Sequence, residues 1–143
     1  MERLMAFTKE QLDKIYNRTS GYCHICHKKL AFKNYGVFGA RAAWEVEHSN
    51  PQIKGGTHHP NNLYPACISC NRSKGDSSTA SVRAKNGKTC APLSVGQREK
   101  AKTENSVLGG VVGAILGVVA GPAGLILGTI FGAALGYSQN PDK

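Results

Sequence analysis

Two C-x-x-C pairs constrain this chain more than any other feature of its sequence. Cys23 and Cys26 form the first pair, Cys67 and Cys70 the second, and Cys90 stands alone. Five cysteines cannot form a complete set of disulfides, and the first residues do not have the form of a signal peptide. We therefore expect a cytosolic location with reduced thiols. Two such pairs can supply four thiolates in a tetrahedron, which predicts one structural zinc ion.

Charge divides the 143 residues into two unequal parts. Residues 1–104 hold 17 of the 18 Lys and Arg and 8 of the 9 Asp and Glu, whereas residues 105–141 contain no Asp, Glu, Lys, Arg or His. A chain of this length holds one modest domain, so a large multidomain enzyme is excluded. The basic part predicts a polyanionic partner, and the apolar part predicts a membrane segment.

Periodicity, capping residues and turn residues predict four elements around the cysteine pairs. They are a helix over residues 9–17, a strand over 42–48, a short returning strand over 62–64, and a helix that begins at 67 and ends near 75. The first helix rests on a capping box formed by Thr8 and Gln11. Pro65 limits the pairing of the second strand. Residues 76–103 are polar and basic, and predict a partly helical connector.

The residues between the cysteine pairs form a connected motif. It consists of Glu47-His48, Pro51, Gly55-Gly56, Asn62-Leu63 and Cys67-x-x-Cys70-Asn71-x-x-Lys74-Gly75. From residue 23 to residue 76 the chain resembles the HNH endonuclease family. The resemblance implies a ββα-metal fold, in which two antiparallel strands and a helix surround one catalytic divalent cation. We therefore expect an α+β domain over residues 1–76, braced by the four-cysteine zinc site.

The resemblance also implies roles for four residues of the motif. His48 corresponds to the general base and Asn62 to the residue that orients it, while Glu47 and Asn71 correspond to the cation ligands. Glu47 stands where the family more often has Asp. Phosphodiester hydrolysis needs a base to deprotonate water and a cation to stabilise developing charge. A carboxylate and an amide supply oxygen ligands, which suit Mg²⁺ or Mn²⁺.

Basic residues near the motif predict contacts with nucleic acid phosphates. The candidates are Lys54, Arg72, Lys74 and Arg83. No aromatic stacking platform or recognition helix is evident in the sequence, so we expect little readout of bases. Trp44 is predicted to be a core residue. The remaining histidines are predicted to be exposed loop residues, with no ligand role: His24, His27, His58 and His59.

Glycines recur every four residues in the apolar tail. One series is Gly109, Gly113, Gly117 and Gly121, and a second, after Pro122, is Gly124, Gly128, Gly132 and Gly136. Such spacing permits close contact between helices. A continuous helix would be about 46 Å long and each half about 21 Å, so a tight all-α transmembrane hairpin over residues 105–138 is favoured over one span. A buried soluble hairpin is the alternative. The preceding Arg98, Lys100 and Lys102 predict a cytoplasmic orientation.

These patterns predict an HNH nuclease domain (1–76), a basic connector (77–104), a glycine-zipper membrane hairpin (105–138) and a short tail (139–143). The predicted function is metal-dependent hydrolysis of DNA at the cytoplasmic face of a membrane, directed at incoming foreign DNA. The expected partners are DNA, membrane lipid and a second copy of the chain through the zippers, and we expect no small-molecule organic cofactor. Two alternatives stay open: a non-catalytic zinc module that binds nucleic acid, and a membrane-permeabilising toxin.

Overall fold

The computed structural model describes residues 7–117 together with residues 133, 134 and 137. The chain divides into two compact units, Met1–Ser94 and Val95–Lys143. In chain order the elements are helix α1 (Lys9–Asn17), strands β1 (Trp44–His48) and β2 (Leu63–Cys67), and helices α2 (Ile68–Lys74), α3 (Thr79–Lys85) and α4 (Val95–Gly117). Three 3-10 turns cover Phe32–Asn34, Gln52–Lys54 and Pro60–Asn62.

Helix α1 has the predicted boundaries and the predicted capping box. The Thr8 hydroxyl accepts a hydrogen bond from the Gln11 amide, and the Gln11 side chain accepts one from the Thr8 amide. At the other end of the helix, the Arg18 guanidinium donates to the Leu63 carbonyl at 2.9 Å and to the Tyr64 hydroxyl at 2.8 Å. Arg18 therefore fastens the end of α1 to the start of β2.

Strands β1 and β2 pair antiparallel and form the two-stranded sheet. Trp44 lies opposite Cys67 and His48 opposite Leu63. The second strand is longer than predicted. It continues past Pro65, which lies within the strand opposite Val46. A proline is tolerated there because, within the described residues, β2 pairs with no strand other than β1. The carbonyl of Pro65 accepts a hydrogen bond from the His24 amide, at 3.0 Å.

The core surrounds Trp44, which is fully buried as predicted. Its ring packs against Tyr16 of α1 at 5.4 Å between centroids and against Tyr35 at 5.0 Å, and its Nε1 donates to the Phe32 carbonyl. The other buried members of this core include Ile15, Ile25, Leu30, Leu63 and Val82. Hydrophobic stabilisation is limited in a domain of this size, so cross-links should contribute to its stability.

The first compact unit extends beyond the segment that resembles the nuclease motif. Helix α3 begins after Ser78, whose side chain caps it by accepting from the Ser81 amide. The chain beyond α3 returns to the N-terminal part, where the Ser20 hydroxyl donates to the Leu93 carbonyl at 2.9 Å. Residues 77–94 of the predicted connector therefore belong to the same compact unit as the cysteine pairs.

Helix α4 runs without a break through the predicted boundary between connector and tail, from Val95 to Gly117. Within the part of the chain that the structure describes, no helix meets the length and hydropathy needed to span a bilayer. The remainder of the predicted hairpin, except residues 133, 134 and 137, lies outside the described residues. Of the eight glycines of the predicted zipper, Gly109, Gly113 and Gly117 lie in α4, and the other five lie outside the described residues.

Gly21 offers a test of the packing between α1 and the core. Its φ is +72°, and an added Cβ would overlap the Tyr16 ring, which cannot yield freely because its hydroxyl donates to the Leu30 carbonyl. Gly87 has a similar φ of +68° with open space around it. Gly87→Ala should lower the free energy of unfolding by roughly 1 to 2 kcal/mol, the cost of the left-handed backbone. Gly21→Ala should cost at least about 1 kcal/mol more, from overpacking.

Urea unfolding of the two full-length variants would measure this difference. Equal losses of stability would show that Tyr16 moves aside and that its packing is not tightly constrained.

Candidate functional site

Four cysteine sulfurs form the cluster that the two C-x-x-C pairs predict. The sulfurs of Cys23, Cys26, Cys67 and Cys70 all lie within 4.8 Å of one another, and Cys26 and Cys67 are 3.8 Å apart. Tetrahedral zinc with bonds of about 2.3 Å requires neighbouring sulfurs about 3.8 Å apart. The residues therefore fit a closed zinc site in both donor type and spacing.

Local backbone structure brings the two pairs together. Cys67 is the last residue of β2 and Cys70 lies in the first turn of α2, while a turn closed by the His27 amide on the Cys23 carbonyl carries the first pair. Thiol hydrogen bonds from Cys23 and Cys26 lower the pKa of Cys67, and burial together with Cys67 raises the pKa of Cys70 to about 12. Four thiolates at this spacing need a cation to offset their mutual repulsion.

Glu47 of β1 is the buried polar centre of the domain. It is 1% exposed, and its Oε1 lies 2.8 Å from the Lys74 ammonium and 3.4 Å from the Thr79 hydroxyl, while Oε2 contacts His24 Nε2. Burial raises the pKa of Glu47, but His24 and Lys74 together outweigh it, so the net pKa is lowered. An ionised carboxylate here is balanced by the Lys74 ammonium.

His24 is not the exposed loop histidine that the sequence predicted. It is fully buried, stacked on Tyr64 at 4.8 Å between centroids, and it contacts Glu47. Burial lowers the pKa of His24 despite the nearby carboxylate of Glu47. The only feature of the sequence that indicated this burial was the position of His24 between Cys23 and Cys26, because a turn that carries two metal ligands packs closely against the second cysteine pair.

Two of the four residues that were predicted to contact phosphates make contacts within the domain instead. Lys74 is 4% exposed, and besides Glu47 it donates to the His48 carbonyl at 3.0 Å. Arg83 is half-buried and donates through Nε to the His24 carbonyl at 2.9 Å. Both cations are used inside the domain, since the buried carboxylate and carbonyls need donors. Lys54 and Arg72 are exposed, as a phosphate contact requires.

Asn71 lies beside Glu45 in the structure. Its Nδ2 donates to Glu45 Oε2 at 3.0 Å, and Arg72 donates to Glu45 Oε1 at 3.2 Å. Glu45 and Glu47 are two residues apart on β1 and project from the same face. The two predicted cation ligands, Glu47 and Asn71, therefore belong to facing elements, but their side chains are engaged with Lys74 and Glu45.

His48 lies at the end of β1 and is half-buried. Its Nε2 is 3.1 Å from His58 Nδ1, and the two rings meet at 78° with centroids 4.9 Å apart. Burial lowers the pKa of His48, and His58 and Lys74 lower it further against the opposing effect of Glu47. A neutral imidazole at pH 7 is the form that can accept a proton.

Asn62 holds the loop between the two strands. Its Oδ1 accepts from the Asn50 amide at 2.7 Å, and its Nδ2 donates to the carbonyls of Asn50 and Thr57 at 3.0 and 2.9 Å. Gly56 fits under this brace only because it lacks a side chain, since a Cβ would overlap the Asn50 carbonyl. Asn62 therefore acts on the loop that carries His58, and the contact to His48 comes from His58.

An exposed aromatic ring lies in a basic cleft on the domain surface. Phe38 is 74% exposed, and the Arg72 guanidinium lies 4.8 Å from its ring centroid. The cleft is lined by this ring and by four cations, which are Lys28, Lys29, Arg41 and Arg72. No aromatic stacking platform was predicted here, because Phe38 lies in an irregular segment between Gly36 and Gly39 and follows no periodic pattern.

Comparison with known proteins identifies the segment that carries these residues. Residues 23–77 match the family model described as HNH endonuclease, which is less than half of the chain. The match includes the four-cysteine cluster, both strands and α2. No curated protein matches the chain. The resemblance stated from the motif is therefore confirmed for this segment.

The cysteine cluster makes a direct prediction about metal content. Purified full-length protein should hold about one zinc ion per chain, and Cys67→Ser should lose the zinc and lower the melting temperature, because the metal cross-links elements around a small core. Cys90→Ser is the matched control, since Cys90 is exposed and outside the cluster. Metal analysis and thermal unfolding would check both. Zinc retained in Cys67→Ser with an unchanged melting temperature would contradict the assignment.

Proposed function

We propose that the domain is a divalent-cation-dependent endonuclease that hydrolyses DNA phosphodiester bonds. The observation that supports it most is the position of His48, a half-buried imidazole at the end of β1 whose pKa is lowered by burial, within a segment that matches the HNH endonuclease model. In this reaction the water oxygen forms a bond to phosphorus and the bond to the leaving oxygen breaks. His48 takes the proton that the attacking water releases.

Glu47 and Asn71 are the residues that would hold the catalytic cation. They offer a carboxylate and an amide oxygen, which suit Mg²⁺ or Mn²⁺ in donor type, and Glu45 adds a second carboxylate beside Asn71. A cation bound there would stabilise charge on the phosphate and on the leaving oxygen. Binding requires Glu47 to exchange its contact with Lys74 or with His24. Asn71 contacts Glu45 through Nδ2, and not through the amide oxygen that would bind the cation.

The basic cleft around Phe38 is the proposed surface for the DNA backbone. Its cations attract phosphates without regard to sequence, and the exposed ring offers a face on which an unpaired base can stack. Lys54 lies outside this cleft, on the loop that leads from His48, and is a separate exposed cation. We therefore expect binding that weakens with salt and shows little dependence on sequence.

Cleavage of supercoiled plasmid by the zinc-loaded full-length protein tests the proposal. Mg²⁺ or Mn²⁺ should support cleavage and EDTA should stop it. His48→Ala should lower the rate by about 10² to 10⁴-fold, the usual contribution of a positioned general base. His59→Asn is the matched control, because His59 is an exposed histidine whose ring accepts from the Asn61 amide, a bond that Asn can replace.

The pH profile provides a second readout in the same assay. Because the pKa of His48 is lowered below its ordinary 6.5, the rate should be constant above that pH and should fall below it as the imidazole takes up a proton. A folded, zinc-loaded protein that binds the plasmid and leaves it intact under all these conditions would support the binding-module alternative instead.

We further propose that the tail holds this nuclease at the cytoplasmic face of a membrane, where it meets incoming DNA. The support is the absence of Asp, Glu, Lys, Arg and His from residues 105–141, together with the glycines spaced four apart and the basic residues that precede them. The same features allow the tail to bind a second copy of the chain.

Liposome flotation of the full-length protein tests the anchor. The wild-type chain should float with the vesicles, and the double variant Val111→Asp, Leu125→Asp should not, because charges are costly in hydrocarbon. The control is Asn105→Asp, Asn140→Asp, which adds the same charge at the flanks. A wild-type chain that stays with the aqueous fraction would contradict the anchor, and dye leakage that persists in His48→Ala would favour the toxin alternative.

A further inference from the structure

The exposed ring in the basic cleft has no part in the hydrolysis chemistry proposed above. Phe38 is 74% exposed, and the Arg72 guanidinium lies over its ring, 4.8 Å from the centroid. One face of the ring therefore carries a cation, and the exposure of the side chain leaves the other face open. A single exposed apolar residue is common on protein surfaces, so exposure alone does not indicate a binding site.

The cleft around the ring has the size and the charge of a site for a nucleotide. Its volume is about 490 Å³, within the range of sites that hold small organic ligands. Four cations line it, and no acidic residue of the described chain does. Such a set of cations attracts phosphates, and an aromatic face beside them can bind a nucleobase. Both parts of a nucleotide thus have a partner in the same cleft.

Hydrogen bonds hold the loop that carries Phe38 on both sides of the ring. Before the ring, the Gly36 amide donates to the Trp44 carbonyl at 2.9 Å, which joins the loop to β1. Across the base of the loop, Asn34 Nδ2 donates to the Arg41 carbonyl at 2.7 Å. The backbone that positions the ring is therefore fixed before a ligand binds, which reduces the entropy lost on binding.

Arg72 connects the ring to the residues proposed to hold the catalytic cation. Besides its contact with Phe38, Arg72 donates to Glu45 Oε1 at 3.2 Å, and Glu45 Oε2 accepts from Asn71 at 3.0 Å. Asn71 and Arg72 are consecutive residues of α2. A single side chain thus separates the ring from Glu45. A nucleotide whose base lies on Phe38 would place a neighbouring phosphate close to the proposed cation ligands.

A base within a duplex cannot use this ring. Its two faces are covered by the neighbouring bases, and taking it out of the stack costs free energy that an unpaired base does not pay. Stacking on an aromatic side chain tolerates any sequence, because every base has a π-face. Phe38 can therefore distinguish unpaired from paired DNA without reading the sequence.

We propose that Phe38 is a specificity-determining residue that stacks on an unpaired base, an inference that rests on the nuclease function proposed above. The ring directs cleavage to DNA with unpaired nucleotides next to the scissile phosphate, which means single strands and the junctions between single strands and duplexes. The cations of the cleft bind the phosphates that flank the stacked base. Phe38 lies between the two cysteine pairs but outside the motif that carries the family resemblance.

Substitutions of exposed residues test the ring without disturbing the core. Phe38→Ala removes the π-face, whereas Phe38→Trp keeps and enlarges it. Val37→Ala is the matched control, because Val37 is the preceding residue, is 48% exposed and does not line the cleft. All three variants should keep the zinc content and the melting temperature of the wild type, since neither side chain belongs to the buried core.

The first measurement is the affinity of the zinc-loaded full-length chain for two DNAs without added Mg²⁺ or Mn²⁺. One is an oligothymidylate, and the other is the duplex that it forms with its complement. Phe38→Ala should weaken binding of the single strand by about 5- to 150-fold, the usual loss for one stacked base, and should change the affinity for the duplex by less than about twofold. Phe38→Trp and Val37→Ala should bind both DNAs at least as tightly as the wild type.

The second measurement is cleavage of a duplex that carries a single-stranded tail, with Mg²⁺ added. The wild type should cut within the tail or at its junction with the duplex. Phe38→Ala should lower kcat/KM on this substrate by a factor similar to the loss of affinity for the single strand. The rate on the fully paired duplex should be equal in the two proteins.

The two measurements separate failure of this inference from failure of the nuclease proposal. The role of the ring would be overturned if Phe38→Ala lost affinity equally for both DNAs, if it lost none, or if the wild type bound no single strand. A selective loss of affinity with unchanged cleavage of the tailed duplex would overturn the substrate preference. A selective loss of affinity in a protein that cuts no DNA would support the site for an unpaired base and overturn the nuclease function.

Discussion

The buried carboxylate of Glu47 joins the parts of this small domain. It lies on β1 and contacts the first cysteine turn through His24, helix α2 through Lys74, and helix α3 through Thr79. Removing a carboxylate from water is costly, and the cost is recovered only when partners surround it. Loss of one partner from such a buried pair typically costs about 3 to 5 kcal/mol, more than any exposed contact of the domain. The four elements must therefore be assembled together.

This dependence also explains why metal-binding cysteines suit the fold. The apolar core around Trp44 is small, and polar groups occupy much of the interior. A zinc ion at the four cysteines would tie the turn that carries His24 to the end of β2 and the start of α2. It would thereby hold the donors to Glu47 in place without requiring more apolar surface.

Sequence patterns predicted the features that depend on local chemistry. The capping box fixed α1 to the residue, spacing identified the cysteine quartet, and Gly75 marked the end of α2. Contacts between residues that are far apart in the chain could not be predicted from periodicity. The burial of His24, the internal use of Lys74 and the contact between Asn71 and Glu45 all depend on how α2 packs on β1. Alternation along a strand could not distinguish a buried, paired glutamate from a solvated one.

The contact between His48 and His58 escaped sequence reasoning for a related reason, since a loop places its side chains by its own hydrogen bonds. The side of the sheet that each side chain faces depends more strictly on strand register. Neighbouring residues of a strand face opposite sides, so Glu47 and His48 lie on different faces of β1. A slip of one residue in the pairing would exchange the two. Cys67 pairs with Trp44 at one end of the sheet, and Leu63 pairs with His48 at the other. A metal bound through Cys67 would fix this register, and would therefore determine which of the two side chains is buried and which lies nearer the surface.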